Sequence, residues 1–392
     1  MRSKPFVMLG IGLVVILAVA DAAAQREPVM RPQRSWPQLQ DEGMARPRLE
    51  RIVPPSAAGA ATTAAKTVLV DCAKGGSISA ALAKNTGPLV IEVRGICREN
   101  VRIERDDLTI RGANPASDGI RGVTADPQTA AALELYYANR TRLENFSVSD
   151  SPGAGVGAWW SQLVMLNCRI ERNGYTGIII SATSALTGKE LVVSSNWRGI
   201  SCQRVGWVQC TGCTLEGNAN WAATSLLGGD MTLLDTVVSG GRGIWARDAG
   251  SYVDVDCGSV VSSYPCSIHV SGDAASAGSG GIAYLYVVGQ FTGRVQAANG
   301  GRVYVYEGQQ NPGTYLPNNI WNSGWLETGI ALSGGSATTL GRTILWNFAH
   351  AILENATQLL DTLECETGSD AWSDTPYPKA QVLNCVNVPT IP

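Results

Sequence analysis

A repeat of about 22 residues is the feature of this sequence that most restricts its fold. A glycine followed by a branched apolar residue occurs at Gly155-Val156, Gly177-Ile178 and Gly199-Ile200, and two periods later at Gly243-Ile244. Trp221-Ala222 occupies the intervening position. A turn signal recurs at the same spacing, and its occurrences are Asn173-Gly174, Ser195-Asn196, Gly217-Asn218 and Ser239-Gly240. A fixed period of this length predicts a solenoid in which each repeat forms one coil.

The residue types indicate which solenoid this is. The Leu-x-x-Leu-x-Leu pattern of leucine-rich repeats is absent, and the segments 89–93, 101–103 and 108–110 are rich in β-branched residues. We therefore predict an all-β, right-handed parallel β-helix whose coils stack about 4.8 Å apart. Segment 67–308 has room for roughly eleven coils. The period becomes slightly shorter between Tyr284-x-Tyr286 and Tyr304-x-Tyr306.

The two ends of the chain differ from the repeat. Arg2 and Lys4 precede an uncharged apolar stretch and the small residues Ala22 to Ala24, which predicts a signal peptide over 1–24. A Pro-, Arg- and Ala-rich linker is expected over 25–66, and Ser77 to Lys84 is expected to form a short N-terminal capping helix. Residues 309–392 are expected to form C-terminal strands and an irregular cap.

Composition limits the partners and the compartment. The chain has 30 Lys and Arg against 33 Asp and Glu, a formal net charge of −3, which does not favour a nucleic-acid partner. No segment after the signal peptide is long and apolar enough to cross a membrane. An uncleaved N-terminal anchor is the alternative to cleavage after Ala24. We expect a secreted or periplasmic protein.

The cysteines support an oxidising compartment. All ten lie after the signal peptide, and an even number favours disulfides. Closeness in sequence predicts three pairs, which are Cys72 with Cys97, Cys257 with Cys266, and Cys365 with Cys385. The pairing of four others, Cys168, Cys202, Cys210 and Cys213, stays open. The CxxC spacing of Cys210 and Cys213 is interpreted as structural, because neither a second zinc-ligand pair nor a thioredoxin-like βαβ unit accompanies it.

Part of the sequence resembles a known superfamily. The stretches VDCAKGGSISAALAKN, LVIEVRGICREN and LTIRGA, together with the repeats that follow to about residue 308, resemble the right-handed parallel β-helix proteins of the pectin-lyase-like superfamily. That superfamily includes pectate and pectin lyases, polygalacturonases, uronate epimerases, phage tailspikes and adhesins. The Asn-Thr-Asp and Gly-His-Gly motifs of polygalacturonases and the Asp-Pro-His triplet of alginate epimerases are absent. The resemblance therefore implies the fold and leaves the activity open.

Aromatic residues are the first group with a chemical interpretation. Tyr175 and Trp197 are one period apart, and Trp221 occupies the corresponding repeat position. Rings on successive coils would form a row, and exposed rings suit sugar rings because they combine an apolar face with a polar edge. We predict that these three residues bind a polysaccharide. Internal packing of the same rings is the alternative.

Three aspartates form the second group with a chemical interpretation. Asp254 and Asp256 alternate along a predicted strand and share a face, and Asp235 lies about one coil earlier. Clustered carboxylates are the ligands that Ca²⁺ favours, so these three residues are predicted to bind calcium. The resemblance implies that a calcium-dependent lyase would use an arginine as base, and Arg242 and Arg247 are the residues that could serve. Solvated surface carboxylates are the alternative.

These observations lead to two functional hypotheses. The first is a secreted β-helix protein that recognises an extracellular polysaccharide, with uronate polymers as the candidates, and that cleaves or modifies it. The second is a non-enzymatic structural or adhesin-like surface protein. A groove with converging Asp, Arg or Lys would favour the first hypothesis, whereas binding without turnover would favour the second.

Overall fold

A computed structural model describes the solenoid and parts of the C-terminal region. The described residues are 65–123, 131–256, 266–286, 291–298, 301–306, 319–321, 325–328, 339–340, 343–345, 350–353, 358–359, 362–365, 369–373 and 376–392. They belong to one compact unit, Thr62–Pro392. The predicted signal peptide and nearly all of the linker lie outside the described residues. Regular structure in this unit is almost entirely parallel β-strand, so the prediction of an all-β parallel β-helix is confirmed.

The first face of the solenoid is a parallel sheet in which the structure describes 14 strands. Each coil contributes one strand, and hydrogen bonds join it to the equivalent strand of the next coil. The strands are Lys66–Asp71, Leu89–Arg94, Leu108–Gly112, Thr141–Glu144, Gln162–Leu166, Ala185–Lys189, Trp207–Thr211, Asp230–Leu234, Tyr252–Asp256, Ile282–Tyr286, Arg302–Tyr306, Trp325–Thr328, His350–Leu353 and Asp370–Ser373. This sheet continues past residue 308, where the repeat in the sequence becomes hard to follow.

The second and third faces belong to one larger sheet, because some strands turn the corner between them. The second face is formed by Ile96–Arg98, Gly119–Arg121, Ser147–Ser149, Arg169–Glu171 and Val192–Ser194. The third face is formed by Val101–Ile103, Ala131–Tyr136, Ala154–Trp159, Thr176–Ser181 and Arg198–Gln203. Three long strands then span both faces, with register shifts at the corner, and they are Thr214–Leu226, Val237–Arg247 and Ser267–Gly278. The remaining strands of this sheet are Phe291–Ala298, Asn319–Trp321, Thr343–Leu345, Leu363–Cys365 and Val382–Leu383.

Short elements flank the coils. The predicted capping helix is Ile78–Lys84, and the Ser77 side chain accepts a hydrogen bond from the Ala80 amide, as a helix N-cap does. The Glu99 carboxylate of a neighbouring coil accepts a hydrogen bond from the Ile78 backbone amide at 2.7 Å and so holds the helix on the solenoid. The other elements are the 3₁₀ turns Cys72–Lys74 and Lys379–Gln381 and the strand pairs Thr339–Leu340 with Gln358–Leu359 and Tyr377–Pro378 with Thr390–Ile391. None of the helices in the described residues has the length and hydropathy of a membrane span.

Alternation along each strand separates the core from the surface. In the strand Gln162–Leu166, Leu163 and Met165 are buried whereas Gln162 is exposed. The inward residues stack from coil to coil, and the row Ile178, Ile200, Ala223, Ile244 and Ala275 has no solvent exposure. Burial of such rows stabilises the fold, at roughly 25 cal/mol for each Å² of apolar surface removed from water.

A buried asparagine ladder explains the glycine repeat. At the corner between the second and third faces, the backbone amide of Asn173 donates a hydrogen bond to Asn196 Oδ1 at 3.0 Å. The backbone amide of Asn196 donates in the same way to Asn218 Oδ1 at 3.1 Å. A Cβ atom on Gly177 would lie 2.8 Å from Asn196 Nδ2, closer than real Cβ contacts allow. The glycines recur in these coils because the asparagine side chain and a backbone carbonyl of the next coil together leave no room for a Cβ atom.

One coil is a residue longer than the repeat predicts. Ile200 pairs with Ala223, so Ala222 rather than Trp221 occupies the position of Gly199. The expectation that Trp221-Ala222 fills the glycine position is therefore wrong by one residue. The extra residue moves Trp221 into register with Arg198 and Arg242.

Disulfides join three pairs among the described residues. Cys72 is bonded to Cys97 and Cys365 to Cys385, and these are pairs that closeness in sequence predicts. Cys210 is bonded to Cys213 across the corner after the first face. Cys266 is disulfide-bonded as well, whereas its predicted partner Cys257 lies outside the described residues. The two cysteines Cys168 and Cys202 are buried thiols.

Candidate functional site

The sequence-predicted residues separate into two groups on different faces. Tyr175, Trp197, Trp221, Arg242 and Arg247 lie along the third face and its corner with the second face. Asp254 and Asp256 lie on the first face, and Asp235 lies in the turn that follows it. The structure therefore brings the predicted aromatic and arginine residues together and separates them from the predicted calcium ligands.

Tyr175 and Trp197 form a stacked pair at the corner. Their ring centroids are 5.2 Å apart and their planes differ by 14°. That separation is close to the rise of about 4.8 Å between coils, so the rings cover each other's faces and direct their edges outward. Trp197 is 38% exposed, which leaves it accessible to a ligand. A ligand at this corner would meet the outer edges of the two rings, since each ring covers a face of the other.

Trp221 does not extend that exposed row. It is only 5% exposed, and its ring stacks on Trp245 with centroids 5.4 Å apart and planes 20° apart. Trp221 is displaced from the row by the extra residue in its coil. Because of that residue, Trp221 aligns with Arg198, and the Asn220 backbone amide is the group that donates to the Trp197 carbonyl in the preceding coil. Trp221 therefore supports the surface from below and offers little area to a ligand.

Three arginines pack on the indole rings. The Arg198 guanidinium carbon lies 4.4 Å from the centroid of Trp197. The corresponding distances are 5.3 Å from Arg242 to Trp221 and 5.6 Å from Arg247 to Trp245. All three lie within the range of about 6 Å for cation–π attraction. We call the group formed by these residues the aromatic–arginine surface, and its members are Tyr175, Trp197, Arg198, Trp221, Arg242, Trp245 and Arg247.

Arg198 differs from the other two arginines in its electrostatic environment. Arg242 lies 3.9 Å from the Asp273 carboxylate, and Arg247 lies 3.6 Å from the Asp248 carboxylate. Among the described residues no carboxylate forms an ion pair with Arg198, and its Nε is buried without a hydrogen-bond partner. Burial lowers the pKa of Arg198, although Tyr175 has a smaller effect in the opposite direction. Arg198 is thus a half-buried guanidinium that no described carboxylate neutralises.

Sequence reasoning missed Arg198. The signal that could have found it is its place directly after Trp197, one repeat on from Thr176, at a corner where the aromatic residues were already identified. A cation adjacent to a ring at a turn has the geometry for stacking on that ring. Its burial depends on the neighbouring coils, which the sequence does not place accurately when one coil is a residue longer.

The acidic residues are arranged as strand alternation predicts but do not converge. Asp254 pairs with Thr232 and Asp256 with Leu234, and both are half-buried on the outer side of the first face. Asp235 is 9% exposed and adopts a left-handed conformation with φ of 48° in the turn. Within the described part of the chain, no three His, Cys, Asp or Glu side chains are grouped so that they could hold a metal ion.

A second set of stacked rings lies at the other border of the third face. Tyr136 stacks on Trp159 at 4.9 Å, and Tyr137 stacks on Trp160 at 5.0 Å, both with planes 9° apart. Arg102 lies 4.3 Å from the Tyr136 ring centroid. Stacking between coils is therefore general in this solenoid, and what distinguishes the aromatic–arginine surface is the unbalanced charge of Arg198.

Solved structures with a similar trace have low sequence identity. An ORF18 protein of Geobacillus virus E2 shares 10% identity with a TM-score of 0.43, and the match covers 67% of this chain and 59% of that one. The DFA-IIIase of Arthrobacter chlorophenolicus A6 without its lid shares 10% identity with a TM-score of 0.38, over 75% and 86% of the two chains. The pectin methylesterase PemA from Erwinia chrysanthemi shares 9% identity with a TM-score of 0.28, over 85% and 94%. TM-scores at this level carry no information on substrate or chemistry. This chain spans less than two thirds of the viral protein.

Family comparison supports the architecture. No curated protein sequence matches this chain. Residues 92–260 match the family model described as "Right handed beta helix region". This match and the parallel coils together confirm the fold that the resemblance implies, which is a right-handed parallel β-helix.

Proposed function

We propose that this protein recognises an anionic extracellular polysaccharide at the aromatic–arginine surface. The observation that carries the proposal is Arg198, which is stacked on the exposed Trp197 and has no carboxylate partner among the described residues. A guanidinium binds a carboxylate or sulfate through two parallel N–H donors, which makes it selective for planar anionic groups. A bound uronate carboxylate would supply the counter-charge that no described residue gives Arg198.

The aromatic pair supplies the second part of the recognition. Tyr175 and Trp197 stand next to Arg198 at the same corner, so a sugar residue that places its anionic group on Arg198 would contact these rings. Apolar contact with the rings would add to the charge-assisted hydrogen bonds, which contribute about 1.5–3 kcal/mol each. Because the coils repeat along the solenoid, adjacent sugar units could lie along the corner.

The binding test compares acidic with neutral polysaccharides. We expect the full chain to bind a uronate polymer in affinity electrophoresis and isothermal titration calorimetry, and we expect Arg198→Ala to weaken binding at least tenfold. Arg142→Ala is the matched control, because Arg142 is an exposed arginine on the first face that already pairs with Glu144. Equal affinity of the Arg198→Ala variant and the unmodified chain would overturn the proposal.

Cleavage of the bound polymer is the narrower form of the proposal. A lyase must neutralise the uronate carboxylate and remove the adjacent proton, and Arg198, Arg242 and Arg247 are the basic groups at this surface. We propose incubation with calcium and then with chelator, with unsaturated uronate ends and reducing ends scored separately. Calcium-dependent unsaturated ends would support a lyase. Binding without either product would identify a non-enzymatic recognition protein.

Secretion belongs to the same proposal, because an extracellular polysaccharide requires an exported protein. The disulfides are the supporting observation, since they persist in oxidising compartments. We propose that the signal peptide over 1–24 directs export and that the exported protein begins at Gln25. N-terminal sequencing of protein from the culture medium or periplasm checks this, and an intact Met1 in that fraction would contradict it.

A further inference from the structure

The first face contains a carboxylate flanked by aromatic residues on both neighbouring coils. Asp230 pairs directly with Trp207 of the preceding coil and with Tyr252 of the following coil. All three occupy the first position of their strands and lie on the outer side of the sheet, because the next residues, such as Met231 and Val253, are buried. Trp207, Asp230 and Tyr252 are each half-buried, and we call these three residues the Asp230 row.

Within the described part of the chain, the Asp230 carboxylate has no counter-charge. Its Oδ1 atom is buried and has no hydrogen-bond partner, and no described Lys or Arg side chain forms an ion pair with it. Burial raises the pKa of Asp230. Burying a carboxylate oxygen without a partner is costly, and a cation close to Asp230 would offset that cost.

We propose that the Asp230 row binds an organic ammonium group, such as the amine of an amino sugar. Coils stack about 4.8 Å apart, so a cation placed over Asp230 would lie about that distance from the level of each neighbouring ring. Cation–π attraction acts within about 6 Å of a ring centroid, so a cation at this level is close enough to the neighbouring coils to contact their rings. The carboxylate supplies the opposite charge, and the ammonium group would in turn offset the charge that the fold leaves at Asp230.

The site is independent of the aromatic–arginine surface. The two surfaces lie on different faces of the solenoid, and their charges are opposite at Asp230 and Arg198. A chain that binds anionic polymer only would therefore lose this inference and keep the proposed function. A chain that binds ammonium compounds only would do the reverse.

The experiment measures binding of a glucosamine hexamer and of choline to the full chain by calorimetry. The hexamer presents primary ammonium groups on a sugar and choline presents a quaternary group, so the two arms distinguish the sources of the same charge. We expect binding of at least one probe and at least tenfold weaker binding by Asp230→Asn. Glu92→Gln is the matched control, because it removes a half-buried carboxylate from the same face outside the row, where Glu92 pairs with Arg111.

A second variant keeps the test decisive. If Asp230→Asn unfolds the chain, as judged by circular dichroism, Trp207→Leu removes one ring and leaves the carboxylate in place. We expect this variant to bind the same probe at least threefold more weakly. Failure of both probes to bind the unmodified chain, or full binding by the folded variants, would overturn the inference.

Discussion

Asn196 shows how a single side chain can join three coils. Its Oδ1 atom accepts the Asn173 backbone amide at 3.0 Å, and its Nδ2 atom donates to Ile170 O at 3.0 Å. Its own backbone amide donates to Asn218 Oδ1 at 3.1 Å. The residue is 1% exposed, so water cannot replace these partners.

Replacement of Asn196 by alanine tests this ladder. We expect Asn196→Ala to lower the free energy of unfolding by about 2–4 kcal/mol, because buried backbone groups of Asn173 and Ile170 would lose their partners. Asn220→Ala is the control. Asn220 lies two residues after the ladder residue Asn218, and no described side-chain hydrogen bond involves it. Urea denaturation measures both, and equal losses would contradict the role of the ladder.

Asp118 provides a pH-dependent stability term. Burial alone would raise the pKa of its carboxyl group, but three backbone amides, those of Gly95, Ala113 and Asn114, donate to it at 2.8–3.0 Å and lower the pKa overall. A pKa that is lower in the folded chain stabilises the protein above the unfolded value of about 3.9. This contribution is lost as the pH falls through the folded-state pKa.

The corresponding measurement is the unfolding free energy between pH 6 and pH 3. We expect the unmodified chain to lose stability as the pH falls toward 3, and Asp118→Asn to show less of this loss, because its side chain cannot be protonated. The variant should also be less stable at pH 6 by about 2–3 kcal/mol, since the charge-assisted hydrogen bonds are replaced by weaker ones. Identical acid sensitivity of both proteins would show that Asp118 does not contribute.

At the scale of elements, the coil walls protect two thiols. Cys202 lies on an inward position of the strand Arg198–Gln203, and Cys168 lies at the buried corner before Arg169–Glu171. Burial raises the pKa of each thiol to about 12. The thiolate is the reactive form, so neither cysteine should react near neutral pH while its coil is folded.

Alkylation with peptide mapping tests this protection. We expect iodoacetamide at pH 8 to leave Cys168 and Cys202 unmodified in the native protein and to modify both in denaturant. The disulfide-bonded Cys210 and Cys213 serve as internal controls, because they should stay unmodified in both states without a reductant. Rapid labelling of the native protein would show that the coil walls open readily around these residues.

At the scale of the whole molecule, the two proposed binding surfaces should act separately. The strand Arg198–Gln203 and the following turn lie between Arg198 and the first face, which contains Asp230. At about 3.3 Å per residue this path exceeds the range of about 7–10 Å over which substitutions usually couple. We expect Arg198→Ala to leave ammonium binding unchanged and Asp230→Asn to leave anionic polysaccharide binding unchanged within about twofold. Titration of both variants with both ligands measures this, and a loss of both activities in either variant would contradict separate sites.

Sequence reasoning succeeded where one coil repeats the contacts of the next. The fixed period predicted the parallel β-helix, because inward apolar residues and corner asparagines can stack only if each coil has nearly the same length. Alternation placed Asp254 and Asp256 on one face, and the spacing of Tyr175 and Trp197 predicted adjacent rings, which the structure shows stacked. These are local or periodic relations, and local spacing is sufficient to determine them.

The remaining features depended on the tertiary structure, because they arise from the path around the coil. One additional residue moved Trp221 under the surface and aligned it with Arg198, and no motif marks that insertion. Asp254 and Arg247 are close in sequence, yet a corner places them on different faces. The burial of Arg198 and Asp230 without a counter-charge among the described residues is likewise a property of neighbouring coils, because the side chains that bury a residue lie a full period away in the chain. The amino-acid sequence thus determined the repeating coil, and only the folded chain decided which side chains share an environment.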